Sequence, residues 1–105
     1  MNTPGGAWNT AFDNRVRLAV MAILVVRGQA DFTELRDELQ VTDGNLASHL
    51  GVLEREKYLR AKKKFAGKKP QTTYAPTDAG RRAFAAHLDA LEALLRPTAQ
   101  RKEPS

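Results

Sequence analysis

Cysteine is absent from all 105 residues, which excludes disulfides, thiolate metal sites and thiol redox chemistry. Histidine is scarce. His49 and His87 stand far apart, with no Glu-x-x-His or His-x-x-x-His spacing beside either to hold a metal. No metal or other cofactor is expected. Also missing are a nucleophile–base–orienter set, a phosphate-binding glycine loop and paired carboxylates, so the chain is not expected to be an enzyme. Long apolar runs are lacking too. The best, Leu18 to Val26, is nine residues and too short to span a bilayer. Arg15-Val16-Arg17 before it and Gly28-Gln29-Ala30 after it outline a secretory signal. Arg27 interrupts that outline, and the run starts late. It is expected to be a buried helix of a cytoplasmic protein.

What is present fits one soluble domain: 42% of the residues are hydrophobic and 28% charged. A chain of this length buries roughly 65% of its unfolded surface, enough for a single core. Seventeen Lys and Arg against twelve Asp and Glu give +5, a weak sign of an anionic partner. The distribution says more than the total. Residues 55, 57, 60, 62, 63, 64, 68 and 69 are basic and only Glu56 in that stretch is acidic, which makes it +7 and leaves −2 for the rest.

Periodicity divides the chain into a flexible arm over 1–9, a folded unit over 10–96 and a disordered tail over 97–105. A first helix from Thr10 carries Phe12, Val16, Val20, Ile23 and Leu24, and Gly28 is a plausible stop. Leu18, Met21, Ala22 and Val25 form its second apolar stripe. A helix apolar on two faces is either central or shared with another subunit, and sharing is the preferred reading. A short helix follows over about 33–40, with Thr33 as N-cap and Leu35 and Leu39 as a core pair. Thr42, with Asp43 beside it, caps a third helix reaching about Lys57. Tyr58 to Phe65 reads as a strand, with Leu59, Ala61 and Phe65 on its apolar side. Ala66 to Pro70 is a turn, and Gln71 to Ala75 is a second strand. Thr77-Asp78 caps a last helix that ends before Pro97. Its main stripe is Phe84, Leu88, Leu91 and Leu95, and alanines 83, 86, 90 and 93 leave room for another helix.

Two short helices joined by a sharp turn have the geometry that sets a second helix into a DNA major groove. On that helix Leu46, Leu50 and Leu53 face the core. The opposite face holds Gly44, Ser48, Gly51 and Arg55, flanked by Asn45 and Val52. Small residues allow close approach to base edges, Ser48 and Asn45 can donate or accept, and Arg55 can reach phosphate or guanine. The bland alternative is a solvated face, but two glycines cost a solvated helix about 1 kcal/mol each. In the hairpin, Lys62 and Lys64 add charge, and Lys68 and Lys69 at the tip suit phosphate or minor-groove contact. A lysine-protected edge strand is the alternative there. His49 is expected to pack at the core edge, and His87 to be a dimer contact or a plain surface residue. Trp8 packs the arm onto the body or a partner.

The stretch from Asp31-Phe-Thr-Glu-Leu through Thr42-Asp-Gly-Asn-Leu-Ala-Ser-His-Leu, with Leu53-Glu, Tyr58-Leu, Thr72-Thr-Tyr and Thr77-Asp-Ala-Gly-Arg81, resembles the compact winged-helix regulators related to the MarR and ArsR families. The likeness covers about residues 12–95. It implies a mainly α (α+β) winged helix-turn-helix with a two-stranded wing, and a recognition helix starting at about Thr42. It also implies a homodimer joined by the first and last helices, hence through Leu18, Met21, Val25, Phe84, Leu88, Leu91 and Leu95. Thr42, Gly44, Asn45, Ser48, Val52, Arg55, Lys62, Lys64, Lys68 and Lys69 would meet DNA. Gly51 departs from the family, where a basic or polar residue is expected. The cysteines of metal-sensing relatives are missing, and no residue argues for the small effector that MarR-like dimer interfaces can hold. The expectation is a sequence-specific duplex-DNA-binding transcriptional regulator, a homodimeric repressor. The alternative is a winged-helix protein-interaction module.

Overall fold

A computed structural model describes residues 9–95, so the expected arm over 1–8, Trp8 included, and the tail over 97–105 lie outside the described residues. The element order is a 3-10 turn (Thr10–Phe12), α1 (Arg15–Arg27), β1 (Ala30–Asp31), α2 (Phe32–Leu39), α3 (Asp43–Arg55), β2 (Leu59–Ala66), β3 (Lys69–Pro76) and α4 (Asp78–Leu95). The strands form one antiparallel sheet in the order β1-β3-β2. This is the winged helix-turn-helix fold.

The first helix does not run on from Thr10. Asn14 sits in extended conformation, and its side chain accepts from the Val16 and Arg17 amides, starting α1 there. Asn9 does not belong to a loose arm. Its side-chain oxygen caps the 3-10 turn, its amide nitrogen donates to the Tyr58 hydroxyl at 2.8 Å, and its backbone N–H donates to His87 Nδ1 at 3.3 Å.

Val20, Met21 and Leu24 are fully buried, and α1 packs against α2, α3, α4 and the sheet. Its second stripe is therefore partly internal: α1 is central, and that is why it is apolar on two sides. Met21 belongs to the protomer's own core and offers nothing to a second subunit. The same holds for Phe84, buried in edge-on contact with Phe12 at a centroid distance of 6.0 Å. His87 is neither a surface residue nor a free dimer contact. It is 2% exposed and stacks edgewise on Phe12 at 5.3 Å.

Asp31, not Thr33, begins α2. Its carboxylate accepts from the Glu34 amide while the Glu34 side chain accepts from the Asp31 amide, a reciprocal capping box. Helix α3 closes with the Lys57 amide on the Glu54 carbonyl and the Tyr58 amide on the Leu53 carbonyl. Lys57 takes the left-handed conformation (φ 66°) that this closure needs. Thr77 then fastens α4 to the same corner, its hydroxyl donating to the Lys57 carbonyl at 2.7 Å and accepting from the Gly80 amide at 2.9 Å. The crossing is so tight that a Cβ at position 80 would lie 1.9 Å from the Tyr58 carbonyl oxygen. Only glycine fits.

Candidate nucleic-acid interface

The turn between α2 and α3 spans Gln40 to Thr42. Gln40, left-handed at φ 56°, donates its amide to the Arg36 carbonyl at 2.8 Å. The Arg36 guanidinium then bridges the two helices, donating to Asp43 at 3.0 Å as well as to Asp37 at 3.1 Å. Thr42 Oγ1 accepts the Asn45 amide at 3.1 Å, which fixes where α3 starts. Leu46, Leu50 and Leu53 anchor the helix in the core. One side is thereby committed inward, and the other is left to solvent.

That outer side carries Thr42, Gly44, Asn45, Ala47, Ser48 and Arg55, all exposed, with Gly51 and Val52 half-buried. Ala47 was not singled out from the sequence, though its position beside Ser48 on the helix wheel could have done so. A Cβ at Gly44 would meet nothing within 4 Å, and one at Gly51 would meet only Arg55 Nη1 at 4.0 Å. Packing inside the protein therefore demands glycine at neither position. The Arg55 guanidinium lies over Gly51, so cationic charge covers the turn whose own side chain is missing. The acids near this face are held to its margins: Asp43 pairs with Arg36, and the Glu54 charge acts on Tyr74. Burial first, then Glu54, pushes the Tyr74 hydroxyl above its ordinary value.

His49, half-buried on α3, accepts a hydrogen bond at Nδ1 from Arg17 Nη1 at 3.0 Å. Arginine can only donate, so the ring proton sits on Nε2. Arg17 also donates through Nε to the Ala11 carbonyl at 2.6 Å, which ties α1, the 3-10 turn and α3 together. Burial, reinforced by the Arg17 charge, lowers the His49 pKa. The packing role expected for His49 is what is observed.

The hairpin pairs from Leu59 opposite Pro76 out to Ala66 opposite Lys69. Strand alternation puts Lys62 and Lys64 on one face with Thr73 and Gln71 opposite them, and Ala61, Lys63 and Phe65 on the other. Every residue from Arg60 to Pro70 is exposed. The expected apolar side of β2 is thus internal only at Leu59; Ala61 and Phe65 point to water because the hairpin projects beyond the helices. Lys62, Lys64 and Lys68 stand free of the core. Lys69 instead borders a cleft of about 340 Å³ shared with Asp31, Glu34 and Asp37 of the α2 end. Opposing carboxylates weaken the pull of Lys69 on a phosphate relative to that of Lys68. Gln71 Nε2 donates to Asp31 at 3.0 Å across this cleft, a link that sequence spacing gave no hint of.

Among the described residues no cluster of His, Cys, Asp and Glu is arranged to hold a metal, and no helix is long and apolar enough to cross a membrane.

Comparison with known proteins agrees with this geometry. A protein of Methanocaldococcus jannaschii with no assigned function is 34% identical over 73 residues, covering 70% of this chain and 79% of its own. A transcriptional regulator homologue from Pyrococcus horikoshii superposes with a TM-score of 0.78 at 34% identity, over 83% of this chain and 86% of that one. A PadR family transcriptional regulator from Eggerthella lenta shares the fold at 21% identity and a TM-score of 0.68, over 81% of this chain and 79% of that one. A family model described as a winged helix DNA-binding domain matches residues 16–95, so that α1 through α4, the helix-turn-helix and the basic hairpin all fall within it. The chain belongs to the winged helix DNA-binding domain family.

Proposed function

We propose that the protein is a transcriptional regulator that binds duplex DNA sequence-specifically as a homodimer and represses. One observation carries the reading. The outer face of α3 is small, polar and uncovered, and the basic hairpin follows it in the chain, so both are available to one polyanionic surface. Asn45, Ser48, Val52 and Arg55 read the major groove, with Thr42 and Gly44 against the backbone at the helix start. Lys62, Lys64, Lys68 and Lys69 neutralise phosphates along the flank. The family supports a binding role rather than catalysis, and DNA as the partner places the protein in the cytoplasm.

Dimerisation is supported by apolar surface on α1 and α4. Val26, Leu88, Leu94 and Leu95 are exposed at 84, 43, 50 and 83%, and Leu18, Val25 and Leu91 are half-buried. A second copy covering these side chains would set two recognition helices about 34 Å apart, one DNA turn, and favour a two-fold symmetric site. Repression follows if that site overlaps a promoter. Selection from random duplexes tests the core of the proposal. A palindromic consensus, bound with an affinity that falls steeply between about 50 and 200 mM salt, is the expected result. Recovery of no consensus would reject sequence-specific reading, and sedimentation as a monomer would reject the dimer.

A further inference from the structure

Three of the four phenylalanines lie wholly or partly in the core: Phe12 and Phe84 are 2 and 8% exposed, and Phe32 is half-buried. Phe65 is 71% exposed. Near the far end of β2 it stands opposite Pro70, itself exposed, whose ring stiffens the facing strand. Their neighbourhood is cationic. From Leu59 to Pro76 the hairpin holds Arg60, Lys62, Lys63, Lys64, Lys68 and Lys69 and no acidic residue. An apolar protein surface laid on Phe65 would desolvate those cations without neutralising them. A DNA minor groove has the complementary composition, with sugar C–H walls lying between two rows of phosphates. Its width, about 6 Å, admits a ring edge-on, and inserted Phe side chains are a known means of gripping it.

We propose that Phe65, backed by Pro70, enters the minor groove beside the major groove occupied by α3 and packs on its sugar walls. The wing then has two separable parts. The lysines supply attraction that salt screens, and the ring supplies contact that salt does not. This rests on the DNA-binding reading above and adds to it a residue that lysine placement does not identify.

The two parts are told apart by titrating the selected duplex with the parent, Phe65→Ala, Phe65→Trp and the pair Lys68→Ala/Lys69→Ala at several salt concentrations. Phe65→Ala should weaken binding about tenfold, the scale of one buried apolar side chain, with the salt slope unchanged. Because the ring is exposed, its thermal midpoint should match the parent's. Phe65→Trp should keep parental affinity, and its emission, less that of the parent, should shift to the blue on binding DNA. A minor-groove-filling drug should abolish that shift. Parental affinity in Phe65→Ala, or a reduced salt slope, would overturn the proposal. So would a loss of self-association in Phe65→Ala with DNA affinity intact, which would make the ring a protein contact. A parent that binds no duplex would instead defeat the underlying DNA-binding reading.

Discussion

The Asp31 carboxylate serves two elements at once: Oδ2 accepts from Gln71 Nε2 at 3.0 Å, and Oδ1 accepts from the Glu34 amide at 2.8 Å. One side chain therefore both starts α2 and holds β3 beside it, and the backbone of Asp31 pairs with Thr73 of the same strand. The helix-turn-helix and the wing meet here, so whatever orients one orients the other.

Removing that carboxylate should cost both bonds. Asp31→Ala is expected to lower stability by about 1–2 kcal/mol, mostly through loss of the cap. Asp31→Asn keeps the cap and should cost less. Gln71→Ala removes only the link to the wing, at about 0.5–1 kcal/mol. Urea unfolding ranks the three. If Gln71→Ala proved as damaging as Asp31→Ala, the capping role assigned to Asp31 would be wrong.

Two helical glycines should respond with opposite signs. Gly80→Ala drives a methyl group into the Tyr58 carbonyl, against backbone that cannot move aside, and should cost about 3 kcal/mol or more. Gly51→Ala meets nothing closer than the end of Arg55, and should stabilise α3 by about 1 kcal/mol through helix propensity. If the outer face reads DNA, the same Gly51→Ala should weaken duplex binding, because the new methyl stands where Arg55 and a base edge must approach. Thermal melting and a binding titration on one pair of variants check both halves.

Local signals made the recognition helix legible in advance. Thr42 has a capping oxygen, Leu46, Leu50 and Leu53 recur on one side, and none of this depends on distant residues. The parts that were misread depend on distant residues. Strand β1 is two residues long and exists only because Ala30 and Asp31 find Tyr74 and Thr73. The break before α1 turns on Asn14, whose polar side chain fits a helix cap or a helix surface equally well in a linear pattern. Met21 looked available for a partner because a two-sided apolar helix is the same in sequence whether its neighbours are its own or another subunit's. Phe65 was assigned inward because alternation assumes that the sheet stays covered along its whole length, and this hairpin outruns its cover. In the candidate site, the exposure of Asn45, Ser48 and Arg55 followed from periodicity. The Arg17–His49 and Asp31–Gln71 bonds join residues 32 and 40 positions apart and leave no trace in spacing.

Both histidines should make stability fall in mild acid. Burial lowers the His87 pKa, with the Asp13 charge opposing it less strongly, and burial with Arg17 lowers that of His49. Each Nδ1 accepts from a group that can only donate there, so a protonated ring would lose its bond. Just below the ordinary value of 6.5 the unfolded chain binds more protons than the folded one. Stability is then fully present above that value and declines as pH falls towards the folded-state values. Denaturant midpoints between about pH 7.5 and 5.5 should drop accordingly, and His87→Gln should flatten part of the decline. A midpoint that rises on acidification would contradict both assignments.

The clearest division of labour lies between the recognition helix and the wing. If Lys68 and Lys69 act only on phosphates, replacing both by Ala should weaken every duplex alike and reduce the slope of log affinity against log salt by up to about 2, one per phosphate released. Because Lys69 shares its cleft with Asp31, Glu34 and Asp37, Lys68→Ala alone should account for most of that change. Asn45→Ala and Ser48→Ala should leave the slope as it was and alter which base pairs are preferred, at about 1–3 kcal/mol per lost bidentate contact and less for a single bond. Titrating these variants against the selected site and one scrambled duplex separates the effects. A slope change from Asn45→Ala, or a shift in base preference from the lysine pair, would mean that the two surfaces do not meet DNA in the roles their exposure and charge assign.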